Sequence, residues 1–171
     1  LFWLFGHPDV YIIFLPMAGA LSTMIPVFAG RALVGYRIIV VAIVGMGFLS
    51  FGIWVHHMFT VGIPHLALAF FAAGSAIVAV PTAVQMFAWL ATLGTKRPRW
   101  DLPMLYIFGF FFVFVLGGLT GVMLAMVPFD WQAHDTYFVV AHLHYVAAGS
   151  FLFPLIAALY YWLPLLAGRV A

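Results

Sequence analysis

Seven histidines are the residues of this sequence best suited to do chemistry, because imidazole is among the commonest ligands for copper, iron and zinc. They are His7, His56, His57, His65, His134, His142 and His144. The sequence has no cysteine, so any metal must use nitrogen or oxygen ligands. A single histidine near a membrane surface can simply bond headgroups or backbone carbonyls. Histidines gathered at several helix ends instead favour a metal site.

The spacing of the first histidines indicates which of them can share an ion. His7 and Tyr11 are four residues apart, so on a helix their side chains lie on one face and can touch. His56 and His57 are adjacent and about 100° apart on an ideal helix. Both can therefore reach one ion only where the backbone unwinds or the helix ends, and the nearby Gly62 marks such an end.

The last two histidines of the sequence are spaced so that their side chains point away from each other. His142 and His144 are two residues apart, about 200° around a helix, and so point to nearly opposite faces. We expect them to serve two different centres. A helix inserted between two hemes, giving one axial ligand to each, would use this spacing directly.

Composition indicates that a membrane protein must position these residues. The chain is 67% hydrophobic and 6% charged, with a mean hydropathy of +1.22, which excludes a soluble domain with a wetted surface. Five apolar stretches each reach the length of about 20 residues that crosses hydrocarbon as a helix, and none alternates as barrel strands do. They span 8–28, 38–59, 66–93, 102–127 and 138–166. We predict an all-α polytopic membrane helix bundle, with 1–171 forming a single transmembrane domain.

The few charges predict the orientation. All six basic residues fall at one end of the helices: Arg31, Arg37, Lys96, Arg97, Arg99 and Arg169. The positive-inside rule makes that end cytoplasmic, or the matrix side in a mitochondrion, and places the histidines near the outer surface. Six basic against four acidic residues is too small a surplus for a nucleic-acid groove. A start at Leu1 without a basic stretch is typical of an internal fragment rather than a signal peptide.

Three ordered motifs at matching separations resemble subunit I of the heme-copper oxidases, in particular A-type cytochrome c oxidases. The motifs are GHPDVY at 6–11, WVHHMFTVG at 54–62 and HDTYFVVAHLHY at 134–145, and PT at 81–82 and GGLTG at 117–121 also fit. The resemblance covers essentially the whole chain. It implies helices six to ten of a twelve-helix subunit, a fragment expected to be inactive alone.

The resemblance also implies the metal ligands. The active-site copper would be bound by His7, His56 and His57. It would face a high-spin heme iron held by His142, while His144 would hold a low-spin heme. Both hemes are expected to be of the heme a type. In this family the second axial histidine of the low-spin heme lies on an early helix outside these residues.

Further roles follow from the same resemblance. Tyr11 would be covalently joined to the first copper histidine and would supply an electron and a proton when the O–O bond is cleaved. His134 and Asp135 match the pair at an outer magnesium site. Asp130 either joins the network near that magnesium or is simply an acid at a helix N-terminus. His65 matches no ligand of the family.

Two residues depart from the family pattern along its proton paths. Asp9 stands where many members have a glutamate, and Gln85 stands where many carry a lysine. A carboxylate in the membrane costs roughly 2.5 to 3.5 kcal/mol, which suggests proton traffic at Asp9, whereas Gln85 cannot take up a proton. Ser75 and Thr82 either carry water along the path or merely bond the backbone. We therefore expect an altered route for protons.

The resemblance predicts the catalytic subunit of a terminal respiratory oxidase that reduces O2 to water with electrons from cytochrome c and translocates protons. Partners would be other oxidase subunits, including a copper-bearing subunit II, in a bacterial plasma membrane or alternatively the mitochondrial inner membrane. A quinol oxidase of the same superfamily is the main alternative, although the HDTY run at 134–137 favours cytochrome c. A non-catalytic membrane heme protein and a copper or zinc transporter are the others. Transporters favour midplane acids and broken helices rather than a His-Tyr pair.

Overall fold

The computed structural model describes residues 1–94 and 97–168, so Lys96 and Arg169, which were used for the orientation, lie outside the described residues. Within those ranges the regular structure is helical, without a strand. The α-helices are α1 (Phe2–Ala29), α2 (Tyr36–Gly52), α3 (His65–Ile77), α4 (Ala79–Leu93), α5 (Leu102–Ala125), α6 (Val127–Ala133), α7 (Tyr137–Ala147) and α8 (Phe153–Leu166). A 3₁₀ turn at Trp54–Met58 follows α2, and a π-helical turn at Ala148–Leu152 joins α7 to α8.

These helices form five stretches that are long and apolar enough to cross a membrane. They are Phe2–Ala29, Tyr36–Met58, His65–Leu93, Leu102–Ala125 and Tyr137–Leu166. Each overlaps one of the five apolar stretches identified in the sequence. The predicted all-α, polytopic fold class is therefore confirmed.

Two of the five stretches are interrupted where hydropathy predicts continuous helices. α3 ends at Ile77 and α4 begins at Ala79, because the ring of Pro81 clashes with the carbonyl four residues earlier and Pro81 has no N–H to bond it. Pro154 acts in the same way on the carbonyl of Ser150, inside the π-helical turn. The prolines explain both interruptions.

The connection between the fourth and fifth membrane-crossing stretches contains a short helix of its own. The residues after α5 include the seven-residue helix α6, which has Pro128 in its first turn, where a missing N–H costs nothing. The helix buries Asp130 and Ala133 and ends at His134. The outer polar connection is therefore a defined structure that fixes the position of its acidic and histidine side chains.

The core lies where α1 meets α4, α5 and α8. Leu21, Met24 and Ile25 of α1, Trp89 of α4 and Phe110 of α5 are completely buried. The indole Nε1 of Trp89 donates to Ser22 Oγ at 3.0 Å, which satisfies the only polar group of that side chain. Opposite faces of the same helices carry exposed phenylalanines, including Phe87 of α4 and Phe112 of α5. Apolar side chains on both inner and outer faces are what a membrane-embedded bundle requires.

Glycines of α5 allow α7 and α8 to pack closely against it. A Cβ atom on Gly117 would lie 2.9 Å from the backbone N of Val146, and one on Gly109 would lie 2.3 Å from the ring of Phe153. Gly149 of the π-helical turn approaches the backbone of Phe114 in the same way. Gly117 and Gly121 form a GxxxG spacing, and both lie where α5 and α7 are in close contact.

Candidate metal centre

Three histidines from two distant parts of the chain meet at one end of the bundle. His7 projects from the first turns of α1, and the 3₁₀ turn after α2 carries His56 and His57 to it. The ring centroid of His7 lies 4.6 Å from that of His56 and 5.3 Å from that of His57. Candidate ligand atoms from the three side chains lie within 4.8 Å of one another. The 3₁₀ turn thus presents the adjacent His56 and His57 on one side, where regular α-helix would separate them.

The nitrogen geometry of this triad fits a metal ion. Nδ1 of His7 lies 3.2 Å from Nε2 of His57. Two nitrogens bonded to one ion at about 2.0 to 2.1 Å would be roughly 3.3 Å apart at a tetrahedral angle. Nε2 of His7 is buried without a hydrogen-bond partner among the described residues. Imidazole nitrogen is a donor that copper accepts.

Ser75 fixes the orientation of His56. Its Oγ lies 2.7 Å from Nδ1 of His56 and donates its own hydrogen to the carbonyl of Phe71 at 2.6 Å. Since a hydroxyl has a single hydrogen, Nδ1 of His56 must be the donor in the first contact. Nε2 of His56 therefore keeps its lone pair free for a metal. The backbone bond, one of the two alternatives for Ser75, is present, and the contact with His56 adds to it.

Trp3 fixes the third imidazole, which the sequence did not indicate. Its ring stacks on that of His57, with centroids 3.8 Å apart and planes 6° from parallel. Trp3 lies four residues before the candidate ligand His7, and this spacing is the feature of the sequence that could have indicated its place at the site.

Tyr11 lies beside the triad. Its ring centroid is 4.8 Å from that of His7, with an angle of 59° between the planes. The side chain is partly buried against the hydrophobic core. The phenol is thus held one helical turn below a candidate ligand, as the spacing of the two residues predicts.

His142 points from α7 towards α5. Its Nδ1 lies 2.9 Å from the carbonyl of Gly117 and 3.1 Å from Oγ1 of Thr120. Thr120 donates its hydroxyl hydrogen to the Gly117 carbonyl, so Nδ1 is the donor to both oxygens and Nε2 remains free. Gly121 makes room for the ring, because a Cβ there would lie 2.8 Å from Cε1 of His142. Thr120 belongs to the GGLTG motif at 117–121, but the sequence alone indicated no role for it.

His144 has a different environment. It is exposed, and its Nδ1 lies 2.7 Å from the carbonyl of Val140, one turn earlier on α7. A carbonyl can only accept, so Nδ1 carries the hydrogen and Nε2 is free. The two histidines of α7 therefore face different surroundings, each with one nitrogen available for a ligand.

A second group of ionisable residues lies at α6. Nδ1 of His134 is 3.3 Å from Oδ2 of the buried Asp130, and its Nε2 is 3.8 Å from Oδ1 of Asp135. Asp135 has a left-handed backbone, with φ of 56°, and an exposed side chain. Burial raises the pKa of Asp130, while the neighbouring His134 acts to lower it. The structure thus adds Asp130 to the predicted pair.

The remaining candidates lie apart from these groups. Asp9 is half-buried on α1, and Thr82 of α4 donates to the carbonyl of Val78 at 3.0 Å. Gln85 is 1% exposed, and neither of its amide atoms has a hydrogen-bond partner among the described residues. His65 is exposed at the start of α3.

Comparison with known proteins gives a single family. A family model described as "Cytochrome C and Quinol oxidase polypeptide I" matches residues 1–171. Cytochrome c oxidase subunit 1 of Bacillus subtilis (strain 168) is 50% identical over 170 residues, which is 99% of this chain and 27% of that protein.

Further relatives agree. Cytochrome c oxidase polypeptide 1 of Halobacterium salinarum is 45% identical over 99% of this chain and 29% of its own length. Cytochrome c oxidase subunit 1 of Synechocystis sp. is 46% identical, over 99% of this chain and 31% of its own length. The chain thus spans less than a third of these curated relatives, and its apolar helices are those of an integral membrane protein. It belongs to the family of subunit I of the cytochrome c and quinol oxidases, the heme-copper oxidases.

Proposed function

We propose that the full protein is the catalytic subunit of a terminal respiratory oxidase, which reduces O2 to water with electrons from cytochrome c and couples this to proton translocation. The observation that carries the proposal is the triad of His7, His56 and His57, with Tyr11 beside it. His142 of α7 offers a further imidazole with Nε2 free. A metal-binding triad next to a phenol and a further imidazole suits multi-electron chemistry on a small molecule better than metal transport.

In this proposal the triad holds copper, His142 holds the iron of the high-spin heme, and His144 holds the iron of the low-spin heme. Metal and hemes would supply the binding positions and electrons for O2. The chain's own contribution is orientation. Nδ1 of each of His56, His142 and His144 is occupied by an oxygen, which leaves Nε2 to the metal. Both hemes are proposed to be of the heme a type.

Tyr11 is proposed as the catalytic phenol. Its ring lies beside that of His7, with centroids 4.8 Å apart. Joining the two side chains would remove one hydrogen from each, a two-electron oxidation for which O2 would be the oxidant. A phenol in this position can deliver both a proton and an electron to oxygen.

The outer group is proposed as a magnesium site. His134 and Asp135 would be ligands, and hard cations such as magnesium prefer oxygen ligands with retained waters. The unusual backbone of Asp135 turns its carboxylate outwards, where waters or a neighbouring subunit can complete the coordination.

A polar seam on α3 and α4 is proposed to serve proton uptake. It consists of Ser75, Thr82, Gln85, Trp89 and Thr92, which are spaced seven, three, four and three residues apart and so share one side of the helices. The seam begins at the His56 contact and ends at Thr92, which accepts a hydrogen bond from the backbone of Val34. All its members are neutral, so water would have to carry the charge. Asp9 on α1 is the carboxylate available for a second route.

The partners follow from the named relatives. Those proteins are cytochrome c oxidase subunits, so a copper-bearing subunit II and other oxidase subunits are proposed as partners, and cytochrome c as the donor. A bacterial plasma membrane is the proposed location. The family description also includes quinol oxidases, and a quinol donor is the second candidate.

The proposal can be tested with the full complex purified in detergent. We expect reduced cytochrome c to support O2 consumption, and carbon monoxide to shift the spectrum of the high-spin heme. His142→Ala should abolish the shift, whereas the control His65→Ala, an exposed histidine outside both groups, should retain it. A native complex without a carbon-monoxide shift would eliminate an oxidase. Oxidation of quinol but not of cytochrome c would establish the second candidate.

A further inference from the structure

We propose that Trp131 is a positioning residue, which couples cation binding at α6 to the orientation of the copper-binding histidines. This inference rests on the proposed oxidase function. The indole Nε1 of Trp131 donates a hydrogen bond to the backbone carbonyl of Phe59 at 3.2 Å, although the two residues are 72 apart in sequence. Phe59 is the residue at which the 3₁₀ turn carrying His56 and His57 ends. In the described part of the chain, no other hydrogen bond joins α6 to residues 53–59.

The turn that carries the two histidines is weakly held by its own backbone. A 3₁₀ helix has poorer hydrogen-bond geometry than an α-helix, and runs longer than about four residues are uncommon. The backbone N–H of His56 bonds the carbonyl of Ile53 at 3.2 Å, and that of Val61 bonds the carbonyl of Met58 at 3.3 Å. Both distances are long for this kind of bond. The position of the turn therefore depends on contacts made by other helices.

Each part of the turn is held by a different helix. Ser75 of α3 and Trp3 of α1 contact the imidazole rings of its two histidines. At its end, the side chain of Phe59 is buried, and the carbonyl of the same residue accepts the hydrogen bond from Trp131. Since this carbonyl follows directly after the turn, α6 supplies the anchor at that end. A shift of α6 would move the backbone that carries the copper ligands.

The position of Trp131 depends in turn on the ionisable residues around it. It lies between Asp130 and His134, whose Oδ2 and Nδ1 atoms are 3.3 Å apart across one turn of helix. A helix of seven residues is too short to be stable without such contacts. The proposed cation ligands, His134 and Asp135, follow at its end. Binding of a cation there would order α6, and the indole N–H would pass this order to the carbonyl of Phe59.

Such coupling has a defined size and is reciprocal. A single neutral hydrogen bond of this kind changes an equilibrium constant by about 2- to 10-fold. If a cation at α6 raises the affinity of the triad for copper by this factor, copper must raise the affinity of α6 for the cation by the same factor. Two independent binding measurements therefore report one quantity.

The test measures the copper affinity of the full oxidase complex by competition with a chelator, with and without Mn²⁺. Mn²⁺ prefers the same oxygen ligands as magnesium and, as the weakest binder among the first-row ions, does not displace copper. Its electron paramagnetic resonance signal gives its own affinity. Trp131→Phe keeps an aromatic ring but removes the N–H. Trp100→Phe is the matched control, because Trp100 is similarly exposed, at 60% against 52%, and lies just before the opposite end of α5.

We expect Mn²⁺ to raise the copper affinity of the native complex and of Trp100→Phe by about 2- to 10-fold. Trp131→Phe should lose this dependence, and its Mn²⁺ affinity should no longer respond to copper. If Trp131 were merely structural, Trp131→Phe would lower the unfolding temperature and would reduce copper affinity equally with and without Mn²⁺. That pattern, or a native copper affinity that Mn²⁺ does not change, would overturn the coupling.

Failure of the oxidase function is a separate result. A native complex that couples copper and Mn²⁺ binding but consumes no O2 would refute the proposed function and support the coupling, because neither binding measurement depends on turnover.

Discussion

At the scale of single residues, the structure assigns an oxygen hydrogen-bond partner to three of the candidate ligands, His56, His142 and His144. Spacing alone predicted that His7 would contact Tyr11, because i,i+4 neighbours on a helix share a face. It could not predict that Ser75 orients His56 or that Gly117 orients His142, since these pairs are 19 and 25 residues apart in sequence. Long-range contacts depend on how helices pack, which local periodicity does not contain.

The contact between Ser75 and His56 yields a prediction. Ser75→Ala removes the acceptor for Nδ1 of His56, so the ring loses its fixed tautomer and orientation. We expect copper affinity to fall by about 10- to 100-fold, the usual effect of removing the partner of a metal-bound histidine. Competition with a copper chelator would measure it.

Ser75→Thr is the matched variant, because it keeps the hydroxyl on nearly the same carbon skeleton. It should retain most of the copper affinity, whereas equal affinities for Ser75→Ala and the native protein would show that the contact does not orient the ligand.

At the scale of helices, hydropathy and length predicted the five membrane-crossing stretches but not their interruptions. The average over a long window does not register a single proline, although Pro81 and Pro154 account for the interruptions at Val78 and at Ala148–Leu152. The end of α2 was better indicated, because two adjacent histidines can serve one ion only where regular helix stops. Glycines on α5 then decide how near α7 can approach.

Gly121 gives the prediction at this scale. The Cβ of Gly121→Ala would lie 2.8 Å from the His142 ring, nearer than such contacts allow, so the ring must move from the Gly117 carbonyl. We expect a reduced carbon-monoxide shift of the high-spin heme. Gly118→Ala, on the same helix with nothing within 4 Å, should leave the shift unchanged. Identical spectra for the two variants would mean that close packing at Gly121 does not position His142.

At the scale of the whole molecule, the described residues form three groups of polar side chains. The histidines form the centre, and the polar seam reaches it along α3 and α4. The acids of α6 lie on a helix whose Trp131 donates a hydrogen bond to the carbonyl of Phe59, just after the histidine turn. Composition predicted the membrane class, and the spacing of motifs predicted which residues gather. The sequence indicated Ser75, Thr82 and Gln85 as members of the seam, but not Trp89 or Thr92. The last two were recognised only from their hydrogen bonds with Ser22 and with the backbone of Val34.

Gln85 gives the prediction for the whole assembly. It lies within the membrane-crossing stretch His65–Leu93, and neither of its amide atoms has a hydrogen-bond partner in the described part of the chain. Because an amide cannot take up a proton, the seam contains no group that can hold one. Gln85→Lys would add one, and we expect faster proton uptake by the full complex in reconstituted vesicles, with a changed ratio of protons to electrons. Gln85→Met, similar in size but apolar, is the control and should not accelerate uptake. Unchanged uptake and normal pumping with Gln85→Lys would contradict an altered path.

The π-helical turn at Ala148–Leu152 divides the membrane-crossing stretch Tyr137–Leu166 into two halves, and it sets the direction of the side chains in one half relative to the other. A π turn accommodates one more residue than regular helix, so side chains after it are rotated by about 100° relative to an uninterrupted course. His142 on the first half can therefore face α5 while Ala157 on the second half remains in the core. Deleting one residue from the turn would straighten the crossing and rotate one half against the other. The ligand register of this helix is thus set by the length of a segment that contains no ligand.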